Sequence, residues 1–167
     1  MQNATTQTTR ATELLRVEHD AVRDLIARLR NSAAANAGKK RDLVVELGAA
    51  IRAHVRLERD VFYPGVVEAA GPEEGVKLLA DALAEHDRAV SALERLEVVD
   101  LTSMGFRRAV RALSDAIDDH ANNEESLVFP RIKRLVDGGK LNALAARMQT
   151  LRPAPSVTQE AIARLSG

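Results

Sequence analysis

Cysteine is absent from all 167 residues, which removes disulfide scaffolds, iron–sulfur clusters, thiolate zinc sites and cysteine nucleophiles together. Any metal must therefore be held by nitrogen and oxygen donors. Aromatic residues make up only 2% of the chain (Phe62, Tyr63, Phe106 and Phe129). Beside abundant Ala and Leu, that scarcity leaves few strand formers and many helix formers, so an all-α fold is expected. No run approaches the roughly 18 uninterrupted apolar residues of a spanning helix, and Met1 to Arg10 lacks the apolar core of a secretory signal. A cytoplasmic location is expected on that basis. Net charge is missing as well: 24 basic and 24 acidic side chains cancel. There is then no global basic field to hold phosphate backbones or anionic lipid, and neither nucleic acid nor membrane is an expected partner. No feature names a protein partner.

What is present suits one compact domain, with 46% apolar and 29% charged residues. Residues 1–9, rich in Thr and Gln, read as a loose N-terminal arm. A first amphipathic stripe (Leu14, Leu15, Val22, Leu25, Ile26, Leu29) reaches about Arg30, and a second (Leu43, Leu47, Ile51, Leu57, Val61) runs to an interruption at Pro64. Gly71 and Pro72, followed by Glu73 and Glu74, mark the start of a third helix that continues to about Glu97. Cap candidates at Asp100 to Ser103 precede a fourth stripe (Phe106, Val110, Leu113, Ile117, Leu127) that ends at Pro130. A shorter pattern from Leu141 to Leu151 predicts a fifth helix before Pro153 and Pro155, and 152–167 read as a tail. The expected architecture is an up-down-up-down four-helix bundle over 10–151 with the short fifth helix packed at one end.

The chain also repeats itself. Glu18-His19-Asp20 recurs as Glu85-His86-Asp87, 67 positions on, while His54, Glu58 and Pro64 recur as His120, Glu124 and Pro130, 66 positions on. This is the signature of a duplicated helical hairpin with pseudo-twofold symmetry.

The four histidines fall one on each long helix, at separations of 35, 32 and 34 residues, each on its apolar stripe. At about 1.5 Å per residue, such steps return antiparallel neighbours to similar heights, so the four imidazoles meet in one layer. Glu58 follows His54 by four and Glu124 follows His120 by four, placing each acid on the face of its histidine. Bare carboxylates on stripes of Val, Leu and Ile are costly to bury, and two of them facing a cation cluster is the cheaper arrangement. Four nitrogen and two oxygen donors exceed the needs of one tetrahedral zinc but divide evenly over two metals with the carboxylates as bridges. Imidazole with carboxylate suits non-haem iron first, with manganese or zinc as substitutes. The expected set is His19, His54, Glu58, His86, His120 and Glu124, with a shared solvent oxygen and one coordination position left open.

These residues resemble the hemerythrin-like proteins of the HHE cation-binding type: a His on the first helix, HxxxE on the second, His on the third and HxxxE on the fourth. The matching segments are RVEHDAV, HVRLERDVFYP, AEHDRAV and HANNEESLVFP, within about residues 10–135. The resemblance implies a four-helix bundle around an oxo- or hydroxo-bridged pair of iron ions that meets O₂, peroxide or nitric oxide, and in some members senses iron. Two departures from the oxygen-carrying members stand out. Their third helix carries a second histidine where the turns around His86 offer only Ala82 and Val90. Their fourth helix places an acid five residues after its histidine, where Glu124 at four and Glu125 at five compete here, and face geometry favours Glu124. Fewer imidazoles mean a more open iron, which points to catalase- or peroxidase-like turnover or to ligand sensing rather than reversible O₂ carriage. Non-catalytic binding of O₂, nitric oxide or iron, and a purely structural metal such as zinc, are the alternatives.

The remaining candidates read as ordinary structure. Adjacent residues on a helix point about 100° apart, so Glu18 and Glu85 are expected on the surface rather than behind the ligands. Tyr63, five after Glu58, is expected to flank the site and pack. Phe62 and Phe129 would close the layer from below. Lys39-Lys40-Arg41 and the run from Arg131 to Arg134 are expected to be solvated or to complement helix dipoles.

Overall fold

The computed structural model describes residues 10–32 and 36–151. The expected arm (1–9) and tail (152–167, with Pro153 and Pro155) lie outside the described residues. Among the described residues there are seven α-helices and no strands: α1 (Ala11–Arg30), α2 (Ala37–Leu57), α3 (Tyr63–Ala70), α4 (Pro72–Val98), α5 (Met104–Asn123), α6 (Phe129–Leu135) and α7 (Gly138–Leu151). Two wide π-helical turns, Glu58–Phe62 and Glu124–Val128, join α2 to α3 and α5 to α6 without a break in the rod.

The helix ends follow local chemistry. Glu13 accepts from the Arg10 N–H at 3.0 Å, Asn36 Oδ1 accepts from the Lys39 N–H at 3.0 Å, and Ser103 Oγ accepts from the Phe106 N–H at 3.3 Å. Each satisfies a donor that the first turn leaves open. Gly71, at φ 95°, turns the chain between α3 and α4 in a conformation that a side chain would resist. Pro72 then opens α4, where the missing N–H costs nothing.

Helix α1 packs against α2 and α5, and α4 packs against α5 and against the α2–α3 rod. That order leaves α1 opposite α4 and α2 opposite α5, the closed ring of a four-helix bundle with short links between consecutive rods. The fifth rod, α7, lies across one end against α1. The interior is two apolar clusters rather than one. The first contains Leu14, Leu15, Phe62, Phe129 and Ile132 together with Leu141, Leu144 and Met148 of α7. The second contains Val22, Leu29, Leu47, Ile51, Leu93, Phe106, Leu113 and Ile117. On α1, α2 and α4, and along the continuous α5–α6 rod, the histidine falls between the segments that feed the two clusters, so a polar layer divides the core at mid-height.

Three expectations are corrected. Pro64 and Pro130 do not end the second and fourth helices, because each sits in the first turn of a new α segment where its absent N–H is harmless. Leu127, assigned to the apolar stripe, is 66% exposed, since the wide turn at Glu124–Val128 shifts the helical phase just before it. Lys40 is buried rather than solvated: its ammonium donates to the Leu101 carbonyl at 3.2 Å and lies 4.9 Å from the centre of the Phe106 ring.

Candidate metal centre

His19 on α1, His54 on α2, His86 on α4 and His120 on α5 are all buried, and Glu58 and Glu124 are fully enclosed. Donor atoms of His19, His54, Glu58, His120 and Glu124 lie within 4.8 Å of one another. His86 stands outside that tight group of five, but its Nε2 reaches Glu58 Oε2 at 2.7 Å. The imidazoles pair by hairpin. Ring centres of His19 and His54 are 4.9 Å apart and those of His86 and His120 are 4.8 Å apart, whereas His19–His120 is 5.4 Å and His54–His86 is 6.3 Å.

Each carboxylate spans both pairs. Glu58 lies 3.3 Å from His54 Nε2 and 2.7 Å from His86 Nε2. Glu124 lies 3.3 Å from His19 Nε2 and 3.7 Å from His120 Nε2. The wide turns position these acids. In a π turn the chain comes back to the same face after about five residues instead of four, so Glu58 and Tyr63, and Glu124 and Phe129, share a face. Tyr63 therefore enters the site, contrary to the expectation that it merely flanks it, and its hydroxyl donates to Glu124 Oε1. Phe129 stacks parallel to His19 at 6.1 Å and meets Phe62 edge-on at 6.0 Å, both rings bordering the layer.

Glu18 and Glu85 are not surface acids. Glu18 accepts from His54 Nδ1 at 3.1 Å and Glu85 from His120 Nδ1 at 3.3 Å. The rotation between neighbouring residues carries each away from its own histidine but into the groove facing the next helix, where the next histidine waits. Glu125 does not compete with Glu124. It faces His19 Nδ1 at 2.9 Å. A carboxylate on Nδ1 keeps the proton there and turns the Nε2 lone pair inward. The usable sign of Glu18 and Glu85 was their recurrence at the same offset as the ligands.

The electrostatics of the layer are those of donors lacking their acceptor. Among the described residues His19 Nε2, Glu58 Oε1 and Glu124 Oε2 are buried without a hydrogen-bond partner, and His54 Nε2 faces His120 Nε2 at 3.3 Å. Burial and the charge of Glu124 push the Glu58 carboxyl well above its usual range. Burial opposes ionisation of Glu124 too, but contact with His19 and the charges of His120 and His54 outweigh it and hold that carboxyl low. Burial and the charge of His54 bring His86 down to about 4. At His120 burial outweighs the attraction of Glu124 and brings it down to about 3. Four converging imidazoles beside carboxylate oxygens with no hydrogen-bond partner among the described residues, Glu58 Oε1 and Glu124 Oε2, are a donor set suited to divalent or trivalent cations.

Known proteins resemble this chain. A family model described as the Hemerythrin HHE cation binding domain matches residues 10–132. The crystal structure of a Hemerythrin HHE cation binding domain-containing protein from Mycobacterium kansasii superposes with a TM-score of 0.73 at 25% identity, covering 86% of this chain and 88% of that one. A DNA nickase of Nostoc sp. is 28% identical over 121 residues, which are 72% of this chain and 33% of that protein; the chain thus spans about a third of that relative's length. With six histidine and glutamate donors converging inside four antiparallel rods, and the match running through all four, the chain belongs to the hemerythrin HHE cation-binding domain family.

Proposed function

We propose that this protein holds two iron ions, one facing His19 and His54 and the other facing His86 and His120, with Glu58 and Glu124 bridging them. The observation that carries this reading is that each carboxylate reaches an imidazole of both hairpins. A single four-coordinate ion would need only part of that set. Manganese or zinc would fit the same donors. Such an iron pair supplies electron exchange with O₂, peroxide or nitric oxide.

The protein's own groups confine the ligand and exclude water. A cavity of about 10 Å³ opens among the four imidazoles, walled by Val22, Ile51, Val55, Ala89 and Ile117. That is room for about one water-sized molecule, too little for an organic substrate beside the metal. The Tyr63 hydroxyl, itself resistant to ionisation through burial and the charge of Glu124, keeps its proton beside that carboxylate. Catalase- or peroxidase-like turnover is the leading activity, and ligand sensing without turnover is the alternative.

Anaerobic loading of metal-free protein with ferrous iron, followed by absorption spectroscopy during addition of O₂ and then peroxide, tests this. Two irons per chain, the absorption of a coupled diferric pair and sustained peroxide loss are expected. Tight ligand binding without peroxide loss would assign the protein to sensing. Full metal content in His54→Ala and His120→Ala would overturn the ligand set.

A further inference from the structure

The two hairpins repeat one another through the centre, and among the groups that back the four histidines the repeat fails at one. His54 and His120 correspond at an offset of 66, and both are backed alike, by Glu18 at 3.1 Å and Glu85 at 3.3 Å. His19 and His86 correspond at 67 but are backed differently. His19 Nδ1 lies 2.9 Å from Glu125 Oε1, and that carboxylate is held in turn by Arg23 Nη1 at 3.1 Å. Arg16 Nη2 fixes the same turn by donating to the Glu125 carbonyl at 3.2 Å. His86 Nδ1, by contrast, is buried with no hydrogen-bond partner among the described residues. The residue that corresponds to Glu125 is Arg59, 66 positions earlier, an exposed cation whose Nε donates to Asp60 at 2.8 Å. The residue that corresponds to Arg16 is Leu83, 67 positions later.

An imidazole holds a cation better when its other nitrogen donates to a carboxylate, which fixes the tautomer and ring angle and raises ligand basicity; losing that partner costs about 10–100-fold in metal affinity. Both imidazoles of the His19–His54 pair have one, and only His120 of the other pair does. We propose that the two cation positions are unequal: the one facing His19 and His54 fills first, and the one facing His86 and His120 fills second and exchanges faster. Glu125 is then a positioning residue for the tight position, and Arg59 marks the missing one at the loose position. Under limiting iron the chain carries one ion, and the reactive pair assembles only when iron is abundant. This inference rests on the dinuclear reading.

Anaerobic titration of the metal-free full chain with ferrous ion, followed by calorimetry and by native mass spectrometry, reads the steps directly. Two ions bound in two resolved steps, about tenfold or more apart, are expected. Glu125→Ala weakens the first step about tenfold and leaves the second in place. Arg59→Glu, which supplies a carboxylate at the mirror position, tightens the second step about tenfold, whereas Arg59→Gln, which only removes the cation, does not. Two ions entering in one step, an unchanged first step in Glu125→Ala, or an equal gain in Arg59→Gln and Arg59→Glu would overturn the inequality and leave the dinuclear reading standing. A plateau below two ions would overturn both.

Discussion

A carboxylate enclosed in an apolar core is costly when its oxygens are unmatched, and among the described residues only one oxygen of Glu124 has a hydrogen-bond donor. One oxygen accepts from the Tyr63 hydroxyl and the other faces His19 and His120. Tyr63→Phe removes the only hydroxyl near that carboxylate among the described residues while keeping the ring. Phe129, the residue 66 positions on, is itself phenylalanine and fully buried, so the architecture accommodates the substitution. The metal-free variant is expected to lose about 1–3 kcal/mol, the cost of leaving a buried charged acceptor unpaired, as read by urea unfolding in chelator. The convergence of these side chains was legible in the sequence because histidine was rare enough for its spacing to stand out. The outer carboxylates were less so, because in a chain with 24 acids a charged residue beside a histidine looks like any other solvated position. Only the second copy of each distinguished Glu18 and Glu85.

At the level of elements, the rods were legible through their three- and four-residue stripes, and Pro72 and the polar residues up to Ser103 marked the starts of the third and fourth. The wide turns were not, because periodicity counting assumes 3.6 residues per turn and a single π turn leaves no compositional mark. That one omission explains both the misplacement of Tyr63 and the misassignment of Leu127. Close approach between rods is equally hidden from pattern reading. Gly75 lies so near α3 that an added Cβ would sit 2.6 Å from the Val67 Cα, which is backbone and cannot step aside. Alanine would gain up to about 1 kcal/mol of helix propensity, but overpacking costs about 1–3 kcal/mol, so Gly75→Ala is expected to be net destabilising in urea melts. Gly138→Ala, with nothing within 4 Å of its Cβ, is the control that shows no loss.

The whole molecule inherits the titration of its centre once metal is removed. The ordinary value for His86 and His120 is 6.5, and the fold brings them down to about 4 and about 3. As pH drops below 6.5 the unfolded chain protonates both while the fold refuses both, so each contributes a loss of stability of about 1.4 kcal/mol per unit. Glu58, raised in the fold by burial and the charge of Glu124, opposes that loss: below its folded value the fold holds a proton that the unfolded chain releases above 4.5. Below 4.5 Glu58 no longer differs, and Glu124, held low in the fold, adds to the two histidines, so the decline steepens until His86 protonates in the fold near 4. Metal-free protein is therefore expected to lose stability as pH drops from 6.5, most steeply between 4.5 and 4, as checked by chelator-treated unfolding across pH, with bound metal removing this acid limb by occupying the imidazoles.

The split interior gives this centre a mechanical meaning. With metal in place, the six proposed ligands from all four rods would tie the two apolar clusters into one cooperative body. Stripped of metal, the same layer is a seam of uncompensated polar groups across which little apolar contact passes, so each end keeps its own oil while the middle loosens. Amide exchange in the chelated protein should then report two separately protected blocks flanking a fast-exchanging waist around His54 and His120, and rebinding of metal would be read as the disappearance of that waist.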